Sequence, residues 1–225
     1  MNFRDFFNLS GKKSEPSAAE VAAFVDAAAH GKEKAVKKFC KDYPDHVDAT
    51  NEDGETALQA AVESNQRIVG DILLDAKADP NKPAKYGESP FLRHLSGFSF
   101  RRNDSHLLDS MFKAGANVNF QSVAWNTKGF RQEATLSTPL IYAAYIGEEE
   151  LCDYLIKHGA DPTLKDKFGF TPRDRALDRA IDQEGSHGSA EVAAALRKTA
   201  AFLEKAEAEW VKQQSSVKPK TQPEL

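Results

Sequence analysis

Gly54-Glu55-Thr56-Ala57-Leu58, Gly87-Glu88-Ser89-Pro90-Phe91 and Gly169-Phe170-Thr171-Pro172 repeat one phrase, Gly-x-[Thr/Ser]-[Pro/Ala]. A fourth copy, Leu136-Ser137-Thr138-Pro139-Leu140, keeps everything except the glycine. Thr56 and Ser89 are 33 residues apart, and so are Thr138 and Thr171. The interval from Ser89 to Thr138 is 49, longer by an insertion of 16. A second phrase runs in step: Ala76-Lys77-Ala78-Asp79-Pro80-Asn81, Ala114-Gly115-Ala116-Asn117-Val118-Asn119 and His158-Gly159-Ala160-Asp161-Pro162. A period of this size is the signature of stacked supersecondary units that share one continuous core.

Each phrase has a local physical reading. Thr or Ser caps a helix by accepting an orphan amide hydrogen bond, and Pro suits the first helical position. Gly closes a second helix by taking a left-handed conformation. Lys77 occupies that glycine position, which predicts backbone strain or a different turn there. The two phrases, most fully written in Thr138–Gly147 and Leu151–Asp161, resemble the ankyrin repeat over residues 18 to 211. The resemblance implies an all-α solenoid of about five helix pairs with β-hairpin fingers, one of them elongated. Its units fall at about 18–50, 51–82, 83–119, 120–165 and 166–211, after a lead-in of residues 1–17. Residues 212–225 are polar with two prolines and read as a disordered tail.

Net charge is −4, which gives no general drive toward nucleic acid or acidic membranes. The N-terminus lacks a secretory apolar core, and no run approaches the ~18 apolar residues of a membrane span. A soluble, cytoplasmic, single-bodied protein is expected, monomeric before it meets a partner. Cys40 and Cys152 lie in second-helix patterns and are expected reduced and buried.

Along the chain, Phe3, Phe6 and Phe7 form one helical face in the lead-in. The first unit is degenerate, with Val21, Phe24, Val25 and Ala28, then Val36 and Phe39, as its core. Lys32, Lys34, Lys37, Lys38 and Lys41 give it the solvated outside of a terminal cap. In the second unit Leu58, Ala61, Val62, Val69, Ile72 and Leu73 face inward. The third carries extra residues around 97–104, and His94 and Leu95 replace the usual small alanines. The long connection at 120–135 lengthens the next finger and carries three aromatic residues. The last helix should bury Val192, Leu196, Thr199, Leu203, Ala206 and Trp210.

A search for chemistry returns little. The histidines lack metal-ligand spacing, and no phosphate-cradling loop or nucleophile elbow occurs. Arg173, Asp174, Arg175, Asp178 and Arg179 read as a solvated helix face with local ion pairs. The expectation is no enzyme and no cofactor. One alternative is a ligand or metal-dependent enzyme site in the irregular third unit, where His94, Asp104 and His106 could converge. Nucleic-acid binding through Arg101, Arg102, Lys128 and Arg131 is opposed by the acidic balance.

The resemblance implies recognition of a partner protein by finger tips and the exposed side of each first helix. On this chain the expected contacts are Tyr86, Trp125, Lys128, Phe130, Arg131, Tyr145, Ile146, Lys167, Phe168 and Phe170. Aromatic residues and Arg are the commonest interface anchors. Glu52, Asp53, Glu55 and Glu63 make the earlier part of the surface acidic. The narrower readings are an inhibitor or immunity protein that plugs an effector's active site, which a small single-domain array suits, and a subunit adaptor in a larger complex. The family also places a His after Thr-Pro-Leu, tying neighbouring fingers. Gln59, Leu92, Ile141 and Asp174 stand there instead, so that network is not expected.

Overall fold

Thr56, Thr138 and Thr171 each accept an amide hydrogen bond of 3.2 Å from the third residue of the helix they cap. Ser89 does the same for Leu92 at 3.3 Å, and Ser17 closes a reciprocal capping box with Glu20. These caps start the first helix of each pair in the computed structural model, which describes residues 15–83, 89–97, 105–121, 138–185 and 188–216. Ten α-helices occur among them: α1 Ala18–Ala29, α2 Glu33–Asp42, α3 Ala57–Glu63, α4 Arg67–Asp75, α5 Pro90–Gly97, α6 Ser105–Lys113, α7 Pro139–Ile146, α8 Glu149–Lys157, α9 Pro172–Gln183 and α10 Ala190–Ser216.

Each odd-numbered helix packs on the helix that follows it. The described residues form two compact units, α1–α6 in one and α7–α10 in the other. Within the first, α1 packs on α3 and α3 on α5; within the second, α7 packs on α9. Ala28, Ala61, Ala143, Ala144, Ala176 and Ala180 are at most 1% exposed on these helices, so small side chains admit the close approach. No strand is present among the described residues; an isolated antiparallel bridge joins Thr50 and Thr56. The short fingers at 51–55 and 166–170 are tight turns, each closed by a backbone hydrogen bond between its ends, at 3.1 and 3.0 Å.

The apolar positions fall largely as the periodicity predicts, except at Ile72, Val192, Ala206 and Trp210, of which Ala206 and Trp210 are half-buried. Ile72 is half-buried and Leu74 takes its place in the core. In α10 Val192 is exposed while Ala193 and Ala200 are buried beside Leu196, Thr199 and Leu203. Helix α10 also continues to Ser216, through residues 212–216 that the composition assigned to a tail; all five are exposed and the helix simply extends into solvent. Cys152 is fully buried, and burial drives its thiol far above the ordinary range. Cys40 is only half-buried, a correction, although burial still pushes its thiol up to about 11.

Within each compact unit, neighbouring repeats are tied by a device other than the absent histidine. Asn81 accepts from the Asn117 amide at 2.7 Å and donates to the Gly115 carbonyl at 2.9 Å. Asn119 repeats this on Asp161 and Gly159, at 2.8 and 3.1 Å. Asp48 holds the same place in the first pair and accepts from the Asp79 amide at 3.0 Å, but a carboxylate cannot donate the second bond. Lys77 adopts φ 74°, matching Gly115 and Gly159 at 90° and 89°, and makes the same helix-closing bonds to Leu74. The strain expected from its side chain is therefore present.

Two stability predictions follow from these comparisons. Replacing Lys77 by Gly relieves a left-handed penalty of ~1–2 kcal/mol against ~0.5–1 kcal/mol of backbone entropy, so chemical denaturation should show a net gain. Burial, above all, raises the Asp48 carboxyl. Its ionised form therefore costs stability above the raised value, and that cost disappears as pH falls below the unfolded one. Asp48→Asn should stabilise by about 1 kcal/mol at neutral pH by adding the missing donor, with the gain shrinking toward acid. A gain that grows toward acid would refute it.

Candidate partner-binding surface

The finger from Asp166 to Phe170 presents the best-defined part of the surface. Asp166 has a side chain 1% exposed, and one carboxylate oxygen accepts amides of Phe168 and Phe170 at 2.9 and 3.1 Å. Its other oxygen accepts Nε of Arg175 at 2.6 Å. The Arg175 guanidinium in turn lies 4.4 Å from the Phe170 ring centre and 5.2 Å from that of Phe168. One buried carboxylate thus fixes the finger backbone, the cation and both aromatic rings. The charges Arg175 and Asp166 form a covered pair, which corrects the reading of Arg175 as part of a solvated face; only its 3.4 Å link to Asp178 is of that local kind.

The same finger in the second helix pair explains why this arrangement arose. Asn51 accepts amides of Asp53 and Glu55 at 3.1 and 2.9 Å, as Asp166 does from Phe168 and Phe170. Nine residues on, Ala60 stands where Arg175 stands. A neutral Asn suffices opposite Ala; a buried guanidinium needs a charged partner, and Asp supplies it with the same backbone geometry.

A second Arg–aromatic couple continues the row. Arg179 donates to the Tyr145 carbonyl and its guanidinium lies 4.5 Å from the Tyr145 ring centre. Lys167 sits 4.8 Å above the Phe168 ring. Of the expected contacts, Lys167 and Phe168 are exposed, while Tyr145, Ile146 and Phe170 are half-buried. The structure therefore joins Phe168 and Phe170 through Arg175, and Tyr145 through Arg179. Tyr86, Trp125, Lys128, Phe130 and Arg131 lie outside the described residues. Asp166 and Arg175 were missed as organising residues; the swap of Asn51 and Ala60 for Asp and Arg in one register was the available signal.

In the first unit Glu52, Asp53 and Glu63 are exposed and Glu55 is half-buried, but Glu63 pairs with Arg93 at 3.1 Å. Burial, then the neighbouring Glu63, raises the Glu55 carboxyl. In the third helix pair His94 is buried on α5, while His106 is exposed and faces Asp71 of α4 at 3.4 Å; Asp104 lies outside the described residues. No group of three metal-capable side chains occurs among the described residues, and no helix among them is long and apolar enough to cross a membrane.

With paired helices, glycine-position turns and capped starts in place, comparison with known proteins agrees. The Ankyrin repeat family profile matches residues 53–85 and 136–167. The chain is an ankyrin repeat protein. It is 35% identical to the human 2-5A-dependent ribonuclease over 79 residues, covering 35% of this chain and 9% of that protein. It is 26% identical to the rat ankyrin repeat and SAM domain-containing protein 6 over 147 residues, or 65% of this chain and 11% of that one. Protein PhlB of Serratia liquefaciens is 34% identical over 117 residues, 52% of this chain and 45% of that protein. The chain thus spans less than half the length of these relatives. Ankyrin repeats indicate a protein–protein interaction module.

The Asp166–Arg175 pair generates a direct test. Arg175→Ala leaves a buried carboxylate uncompensated and Asp166→Asn leaves a guanidinium so; each should cost about 3 kcal/mol in chemical denaturation. The double variant restores the Asn51/Ala60 combination and should be more stable than Arg175→Ala alone. Additive losses would show that the two side chains are not energetically coupled.

Proposed function

We propose that this ankyrin repeat protein is a non-enzymatic binding module that grips one partner protein with its finger tips and the exposed sides of its first helices. The observation that carries the reading is the row of Arg–aromatic couples, Phe168 and Phe170 with Arg175 and Tyr145 with Arg179. Each cation is held by an internal acceptor, so the rings are presented in a fixed geometry with part of their surface open. Fixed aromatic anchors lose little freedom on binding, which is how small contact areas gain affinity. The 120–135 connection is assigned to the same surface from its sequence, with Trp125, Lys128, Phe130 and Arg131 as contacts beside Tyr86, Ile146 and Lys167.

Within this class we favour a dedicated inhibitor or immunity protein that occupies an effector's working surface, acting as a cytoplasmic monomer until it meets its target. What favours the reading is the elongated 120–135 connection, whose Trp125 and Phe130 give it the aromatic content of a plug. Co-purification from the native host would identify the partner. Trp125→Ala with Phe130→Ala should then weaken capture strongly, since an anchor in a desolvated pocket contributes roughly 2 to 4 kcal/mol. The melting temperature should barely move, because loop-closure entropy changes slowly with loop length. Undiminished capture would place the interface elsewhere, and a large loss of thermal stability would make the connection part of the core.

A further inference from the structure

Among the described helices α9 is the last first-helix, and it packs on α7 on one side and on α10 behind. Leu177 stands six residues after its cap. Val62, Leu95 and Ala144 hold that position in α3, α5 and α7 and are all buried. Leu177 is only half-covered. One turn on, Ile181 is 63% exposed, and Phe168 of the finger is 50% exposed beside it. These apolar groups line a depression of about 380 Å³ together with Asp174 and Asp178. A depression of that size accepts one or two large side chains.

The carboxylates beside it are grouped on one helix. Asp174, Asp178 and Asp182 follow at four-residue intervals, which places three carboxylates in one row along α9, next to the Leu177–Ile181 row. The cations of the same helix are engaged elsewhere. Arg175 is bound by Asp166 under the two phenylalanine rings, leaving Asp178 a single 3.4 Å link, and Arg179 is turned onto Tyr145. Arg173 pairs with Glu204 of α10 at 3.2 Å. Lys167 lies over Phe168 on the finger. The face therefore offers an apolar strip edged by an acidic row whose neighbouring arginines are committed to other partners.

We propose that this open face of α9 docks an amphipathic basic segment of a partner protein. Large apolar side chains enter the depression between Phe168, Leu177 and Ile181, and lysine or arginine residues beside them meet Asp174, Asp178 and Asp182. The inference rests on the reading of the protein as a binding module, but it names a surface separate from the 120–135 connection and the Tyr145–Arg179 couple. Charge complementarity selects the occupant: a second copy would bring the same acidic row against its own kind if it docked through this face.

The test needs no native partner. Full-length protein labelled with ¹⁵N is titrated with three synthetic helical peptides of equal length, one alternating leucine and lysine faces, one leucine and glutamate, one lysine and serine. The leucine–lysine peptide should shift the amides of Phe168, Leu177 and Ile181, and the other two should not at the same concentration. Ile181→Ser and Asp178→Lys should each weaken that peptide about tenfold, the loss expected of an anchor at an interface centre. Asp109→Lys, on α6, should leave it unchanged. Equal binding of the leucine–glutamate peptide would overturn the charge argument. Binding that survives both variants, or no binding of the leucine–lysine peptide, would overturn the site. Concentration-dependent dimerisation abolished by Ile181→Ser would assign the face to a second copy instead. Failure here leaves the Trp125/Phe130 test of the partner-binding reading standing, and the reverse also holds.

Discussion

Close approach of one first helix to the next requires small side chains on the facing sides, and much of this chain follows from that constraint. Ala28, Ala61, Ala143 and Ala144 meet it and are essentially inaccessible to solvent. With the helices this near, the loops between units come within hydrogen-bond reach, and a single asparagine can bridge from one unit to the next. The asparagine clip thus depends on the alanines: a larger residue at the helix contact would push the bridged backbone groups apart. The third pair breaks the pattern with His94 and Leu95, both buried, and it is also where the connection between helices is longest.

A repeat needs uniform geometry but a binding surface needs particular chemistry, and the Asp166–Arg175 pair shows how the two are reconciled. The finger turn requires an acceptor at its first residue for two backbone amides, and Asn51 and Asp166 both supply it. At Asp166 the second carboxylate oxygen holds Arg175, whose plane gains two aromatic faces. At Asn51 the corresponding group is an amide NH2, which donates to the Glu55 carboxylate at 3.4 Å instead, with Ala60 in the place of the arginine. The turn is closed in the same way in both, so the fold tolerates an arginine with two aromatic rings at one finger and an alanine beside an acidic finger at the other.

The architecture was legible because its signals are local. A capping threonine, a proline at the first helical position and a closing glycine each act within a few residues, so their spacing transmits directly into helix starts and ends. The register flagged Lys77 as strained or differently turned, and its φ of 74° decides for the left-handed form. The organisation of the surface was less legible, because Asp166 and Arg175 sit on different elements and the nearer partners of Arg175 at three and four residues suggested a solvated helix face. Only the closed turn brings the carboxylate back over the guanidinium. Cys40 was misjudged for a related reason. It lies on α2, where the packing on α1 and α4 leaves the thiol half-covered, whereas the equivalent thiol of Cys152 on α8 is fully enclosed.

Terminal units also bear on where a repeat protein can acquire new contacts. Helix α3 has both flanks committed, to α1 and to α5, so its free surface is limited to what those helices and α4 leave open. Among the described helices α9 packs on α7 and α10, and whatever stands on its other flank must be soluble without a covering helix. Polar residues alone would satisfy that requirement, as lysine and glutamate do along the outer side of α2. On α9 the carboxylates of Asp174, Asp178 and Asp182 provide solubility, yet Leu177 and Ile181 remain beside them at partial exposure. Retaining apolar surface next to charge of one sign keeps the face soluble in the free protein and gives it a preference among partners, since only an oppositely charged amphipathic segment can cover the leucine and isoleucine without burying unpaired carboxylates.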